Sequence, residues 1–257
     1  MKVALLQEYL DKAFETYHKK GFIAHDPISI PHSFSVKQDI EIMGFFAAIL
    51  AWGQRKTIIA KCKTIAELFD HRPYDFILNH QDTDLASLTS FVHRTFNGTD
   101  LLYVVHFLQQ VYREYDSLEN AFFPVPTSSF NAVEEGLNNF KFKFVASEWC
   151  PVRTRKHIAS PAQGSACKRL NMFLRWMVRK DFEGIDFGIW THIQPAQLKC
   201  PLDVHVLRVA MQLGLLNDSK SHWQNVLKLT DALRKFDAAD PVKYDFALFG
   251  IGEAGAL

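Results

Sequence analysis

Cysteine is scarce. The four present, Cys62, Cys150, Cys167 and Cys200, form no CxxC pair and keep no regular spacing. That pattern points to free thiols in a reducing compartment. With no cysteine after Cys200, a four-cysteine iron–sulfur loop near the C-terminus is excluded. Long apolar runs are missing too. The longest, Gly44 to Gly53, is too short to span a bilayer. The opening apolar run stops at Gln7-Glu8, which does not make a signal peptide. These absences lead us to expect a cytoplasmic protein. Glycine and proline are also few, 12 and 10 in 257 residues, which argues against a turn-rich β-sandwich and suits long helices.

What is present is an ordinary globular composition, 48% apolar and 22% charged, which excludes a disordered or fibrous chain. Phenylalanine is abundant, at 22 copies, so an aromatic-rich core is expected. The net charge of +1 hides an asymmetry. Arg153 to Lys180 carries eight Lys/Arg and no acid, whereas Gln81 to Glu148 carries nine acids against four Lys/Arg. A basic face of this kind attracts polyanions. The plainer reading is a solvated helix face balanced across a fold contact.

Helical periodicity dominates. An amphipathic helix is expected over 3–19, with Leu6, Leu10, Ala13, Phe14 and Tyr17 on one face. A proline-bearing loop follows at 25–35. Further helices are expected at about 37–52, ended by Gly53, and at 56–69. A short one starts at Pro73, and a turn or two lies near 84–88. Asp100 would cap a helix over 100–115. PVPTSS at 124–129 is a connector. Residues 130–145 read as helix, although their FKFKF alternation also fits a strand. The remaining helices are expected at 166–179, 203–213, 221–235 and from Pro241 to about Gly250. The fold class is therefore all-α.

Two stretches carry the chemistry. In Ser160 to Trp176, Pro161 and Gly164 make a tight connection into an apolar helix whose first turn holds Lys168. The N–H groups at such a helix start, with its dipole, suit a phosphate. The same corner is also a common connection in any all-α protein. In Cys200 to Leu215, Asp203 follows Pro201 and precedes an amphipathic helix. Asp203 is a good N-cap, and an acid at such a place usually does nothing more. His205 reads as a packing residue. Gly250-Ile251-Gly252-Glu253-Ala254-Gly255 matches GxGxxG, but at the end of the chain with no room for a following helix it is not read as a dinucleotide site.

Together these stretches resemble the helix-hairpin-helix Gly/Pro/Asp superfamily of DNA glycosylases. The likeness is strongest over 153–257 and nearest to the archaeal 8-oxoguanine glycosylase branch. The chain is also similar to an uncharacterised bacterial family of unknown function. The hairpin keeps Pro161 and the last glycine, Gly164, but loses the first. Lys168 comes two residues late, and the Lys168–Asp203 loop is long. The ILAWG corner resembles the family's ILSQQ corner, with Gly53 where a base-contacting Gln would stand.

The resemblance implies two helical subdomains with a cleft between them, one at about 36–128. The other combines about 1–35 with 129–257 and holds the hairpin at about 150–180. It implies Lys168 as amine nucleophile and Asp203 as catalytic carboxylate. Asp245 would bond the extruded base and Phe249 would stack on it. Trp52, at the helix end bordering the proposed cleft, is read either as a core residue or as a further contact to that base. Arg153, Arg155, Lys156, Gly164, Ser165 and Arg169 would hold DNA. The implied activity is base excision with AP-lyase cleavage on an oxidised purine such as 8-oxoguanine. The expected partner is duplex DNA bearing a damaged base, bound by a monomer, with no cofactor, metal, iron–sulfur cluster or membrane. Two alternatives stand beside it. One is a non-catalytic nucleic-acid-binding protein of the same fold, and the other a helical protein-interaction domain.

Overall fold

A computed structural model describes residues 3–255. They form helices α1 (Val3–Tyr17), α2 (Lys37–Ile49), α3 (Arg55–Leu68), α4 (Pro73–Asn79) and α5 (Asp82–Leu88). A minimal antiparallel hairpin follows, β1 (Val92–His93) and β2 (Phe96–Asn97), with Val92 opposite Asn97. Then come α6 (Gly98–Glu114), α7 (Glu119–Phe122), α8 (Ala132–Ala146), α9 (Lys168–Val178), α10 (Val204–Gln212), α11 (Trp223–Arg234) and α12 (Tyr244–Ala254). The fold is all-α in class, and the hairpin is its one sheet among the described residues.

Several boundaries differ from the sequence reading. Residues 25–35 contain single 3-10 turns, Pro27–Ser29 and Pro31–Ser33, each started by a proline. Helix α2 stops at Ile49 rather than Trp52, and Gly53 lies beyond it in a left-handed conformation (φ +104°). The cap of α6 is Asn97, not Asp100. Asn97 Oδ1 accepts from the Asp100 amide (3.4 Å), and Asp100 Oδ2 accepts from the Asn97 amide (2.9 Å), a reciprocal capping box. The FKFKF stretch is helical within α8.

The described chain divides into two compact units. The first comprises residues 3–22, 127–135 and 160–255, and the second comprises 23–126 and 136–159. Residues 23–35 and 136–159 thus group with the second unit, where the sequence reading had assigned them to the hairpin-bearing part.

The second unit is built on phenylalanine. Phe45, Phe46, Phe69, Phe96, Phe122, Phe140 and Phe144 are buried, and Phe122 stacks on Phe140 at 3.9 Å between centroids. Two buried acids tie its helices. Glu41 accepts from Tyr112 Oη (2.8 Å), Ser117 Oγ (2.6 Å) and the Leu118 amide (2.9 Å). Asp100 accepts from Thr154 Oγ1 (2.7 Å) and faces His157 and Arg153.

In the first unit α12 packs on α1 and on α10. Gly250 makes the first contact possible, because a Cβ there would lie 2.2 Å from the Tyr17 ring. The GxGxxG stretch is therefore the last turn and a half of α12, with Gly250 at the helix crossing and Gly255 as the left-handed cap that ends the helix. Helix α9 runs through this unit's core with Phe173, Leu174, Trp176 and Met177 buried.

Candidate active site

The corner before α9 is a sequence of local constraints. Pro161–Gln163 forms one 3-10 turn, closed by Gly164 in the left-handed region (φ +74°), whose amide donates to the Pro161 carbonyl (2.7 Å). The Gly164 carbonyl accepts from the Trp223 amide (3.1 Å), and Ser165 pairs with His222, which fixes the corner against the start of α11. Cys167 then takes a left-handed conformation (φ 48°), and α9 starts at Lys168 without a side-chain cap. The arm preceding the corner is not an α-helix but the 3-10 turn Thr154–His157, so only the second arm of the expected helix-hairpin-helix is a regular helix.

Asp203 caps α10. Its Oδ1 accepts from the His205 and Val206 amides, both at 2.9 Å. This leaves Oδ2 pointing the other way, 3.8 Å from Lys168 Nζ. The two side chains keep 29% and 19% of their surface exposed, so the pair is reachable from solvent. Lys168 Nζ also lies 3.7 Å from Met172 Sδ, one turn along α9. The cap role and the facing role thus fall on different oxygens of one carboxyl group.

Asp245, in the first turn of α12, is buried and interacts electrostatically with both members of this pair. Its Oδ2 takes the Arg175 guanidinium, whose Nε donates to Asp186 Oδ1 at 3.3 Å. Burial pushes the Asp245 carboxyl up to about 6, against the pull of Arg175, and nearby Asp203 adds to the rise. Phe249, one turn on, is half-buried with its ring edge-on to His205 at 6.3 Å. Lys168, Asp203, Asp245 and Phe249 thus all belong to one unit. Arg169 is half-buried, and burial lowers its pKa from the ordinary value.

Gly164 and Ser165, in the corner before α9, also lie in the first unit, whereas Trp52, Arg153, Arg155 and Lys156 lie in the second. Trp52 stacks on His157 at 6.0 Å and meets His93 edge-on at 4.9 Å. His93 Nε2 in turn bonds the Leu50 carbonyl at the end of α2 (3.1 Å). Arg153 is internally engaged. It bonds Asn97 Oδ1 and the Thr95 carbonyl (3.0 Å) and pairs with Asp100 (3.1 Å). Its charge is thereby largely balanced within the fold. Arg155 and Lys156 are exposed.

Sequence reasoning missed the charges beneath the site. Arg175 and Arg179 are only a few per cent exposed and face Asp186, Asp181, Asp240 and Asp245. The available signal was spacing: 168, 172, 175 and 179 share one helical stripe. It missed Lys199 as well. Burial, with Arg234 nearby, brings this lysine down to about 8, and its Nζ donates to the Phe130 carbonyl (2.9 Å).

Among the described residues, no group of three or more His, Cys, Asp or Glu is arranged to hold a metal ion, and no helix is long and apolar enough to cross a membrane. The four cysteines form no disulfide with one another and are buried.

A helical protein with an amine and a carboxylate facing each other at two helix starts is the class defined so far. The chain belongs to the family described as protein of unknown function (DUF2400), whose model matches residues 26–254. No curated protein and no solved structure matches it.

Proposed function

We propose that this protein is a DNA base-excision glycosylase with AP-lyase activity, acting on an oxidised purine such as 8-oxoguanine. The observation that carries the reading is the pairing of Lys168 Nζ with the uncapped oxygen of Asp203 at 3.8 Å, both partly exposed. A base inside a duplex is out of reach, so the substrate is an extruded nucleotide, at a cost of a few kcal/mol. As the N-glycosidic bond breaks, the base leaves with the electron pair and the sugar gains positive charge. Asp203 Oδ2 stabilises that charge. Lys168 passes a proton to the departing base, its nitrogen forms a bond to C1′, a second amine proton moves to O4′ as the C1′–O4′ bond opens, and an iminium (protonated Schiff base) results. Loss of a C2′ proton then expels the 3′ phosphate, and water releases the lysine. Contacts to the DNA phosphates make such binding weaken steeply with salt.

Borohydride trapping tests this. Incubation with duplex DNA carrying an abasic site or 8-oxoguanine should give a covalent protein–DNA adduct, and Lys168→Gln should abolish it. Absence of an adduct from the unaltered protein on both substrates, or an adduct that survives Lys168→Gln, overturns the proposal.

A further inference from the structure

A row of buried charge runs below the candidate site. On α9, Lys168 is followed on the same stripe by Met172, Arg175 and, at the helix end, Arg179. Acids from four separate segments face this stripe. Asp203 caps α10, Asp245 opens α12, Asp181 and Asp186 lie in the loop after α9, and Asp240 precedes α12. Arg175 sits in the middle. Its Nη1 donates to Asp245, its Nε to Asp186, and its guanidinium carbon lies 4.2 Å from the centre of the Phe246 ring. It therefore spans α9, the loop and α12 at once. A planar guanidinium with a fork of donors suits such a bridge better than an ammonium.

We propose that Arg175 is a positioning residue of the Lys168–Asp203 site, holding Asp245 as an anion beside that pair. This rests on the glycosylase–lyase reading and adds a residue and a charge state to it. The charged and titratable groups facing Asp245 are Arg175 and Lys168 on α9, Asp186 in the loop, Asp203 at the start of α10 and the buried Cys200 just before it. Burial, Asp203 and Asp186 favour the protonated acid, and Arg175 and Lys168 favour the anion. An anion at 245 adds to the field that stabilises positive charge at the sugar and at the iminium nitrogen of Lys168. A protonated Asp245 adds none. Arg175 touches neither, so its effect passes through Asp245.

The test is single-turnover cleavage of abasic-site duplex between pH 5 and 8.5. The unaltered protein should lose rate on acidification with a midpoint near 6. Arg175→Met should move that midpoint up by about 1 pH unit or more, the scale of losing one adjacent opposite charge. Arg175→Lys should bring it back part of the way. Asp245→Asn should erase the acid limb, alone and combined with Arg175→Met. If Arg175→Met does not fold, Arg175→Lys and Asp245→Asn carry the test. A uniform slowing at every pH, with the midpoint unmoved, would show a merely structural role and overturn the assignment alone. No cleavage by the unaltered protein overturns the glycosylase reading, and this assignment with it.

Discussion

Asp203 carries two tasks on two oxygens, and substitution can separate them. Oδ1 accepts both amides at the start of α10, and Oδ2 faces Lys168. Asn keeps an acceptor oxygen for the cap, whereas Ala keeps neither. On the proposed glycosylase–lyase function, Asp203→Asn should therefore leave the urea midpoint nearly unchanged and slow cleavage of abasic DNA by about 10²-fold, the scale of one lost electrostatic stabiliser. Asp203→Ala should show the same rate loss and also cost about 1 kcal/mol in unfolding. Equal activity of the Asn variant would leave the carboxylate with its capping task only. Both residues of the pair were legible in the sequence, because a cap position and a first-turn lysine follow from local pattern. Their facing was not, since it depends on how α9 and α10 pack. Arg153 shows the converse. Its charge was legible, but its engagement by Asp100 and Asn97 arises only when β2 and α6 are in place.

At the scale of elements, α12 depends on its glycines for close approach. A Cβ at Gly250 would lie 2.2 Å from the Tyr17 ring, and one at Gly252 would lie 3.0 Å from His205 Cβ. Gly250→Ala should cost about 1–3 kcal/mol by forcing α1 and α12 apart, with Gly252→Ala milder. Gly164→Ala meets open space, so its cost of about 1 kcal/mol comes from the left-handed backbone alone. Urea unfolding of the three variants checks the order, and a Gly250→Ala protein as stable as the parent would contradict the packing account. Long helices such as α1, α6 and α11 were legible because their apolar stripes repeat every three to four residues. Helix α7 and the 3-10 turns were not, since a single turn has no period to read. The start of α6 was misplaced because Asn97 and Asp100 are both good capping residues, and the reciprocal bonds between them decide which is the cap.

At the scale of the whole molecule, the buried acids give stability a signed dependence on pH. Burial pushes Asp181 up, but His18 and the amides of Asp186 and Ile185 overcome it and hold the carboxyl well below its ordinary value. A depressed acid contributes stability above its ordinary pKa of 3.8 that is lost as pH falls below it. Asp245 has the opposite sign. Its folded value of about 6 lies above the ordinary 3.8, so between these the folded state holds a proton that the unfolded chain has released. Stability from this group therefore falls as pH rises from about 4 to about 6, and the folded anion costs roughly 3 kcal/mol at neutral pH. His93 and His106 run the other way, because burial lowers both, so the informative quantity is a difference between two proteins. Asp245→Asn removes the titration but weakens the bond to Arg175, which lowers the gain below that figure. Unfolding free energies measured by urea from pH 4 to 8 should show the Asn variant gaining on the parent as pH rises, with the gain levelling off above about 7. A difference that stays flat across that range would mean that Arg175 already holds Asp245 ionised throughout. The buried row of charge would then be insensitive to pH near neutrality, and the acid limb expected for cleavage would lose its source.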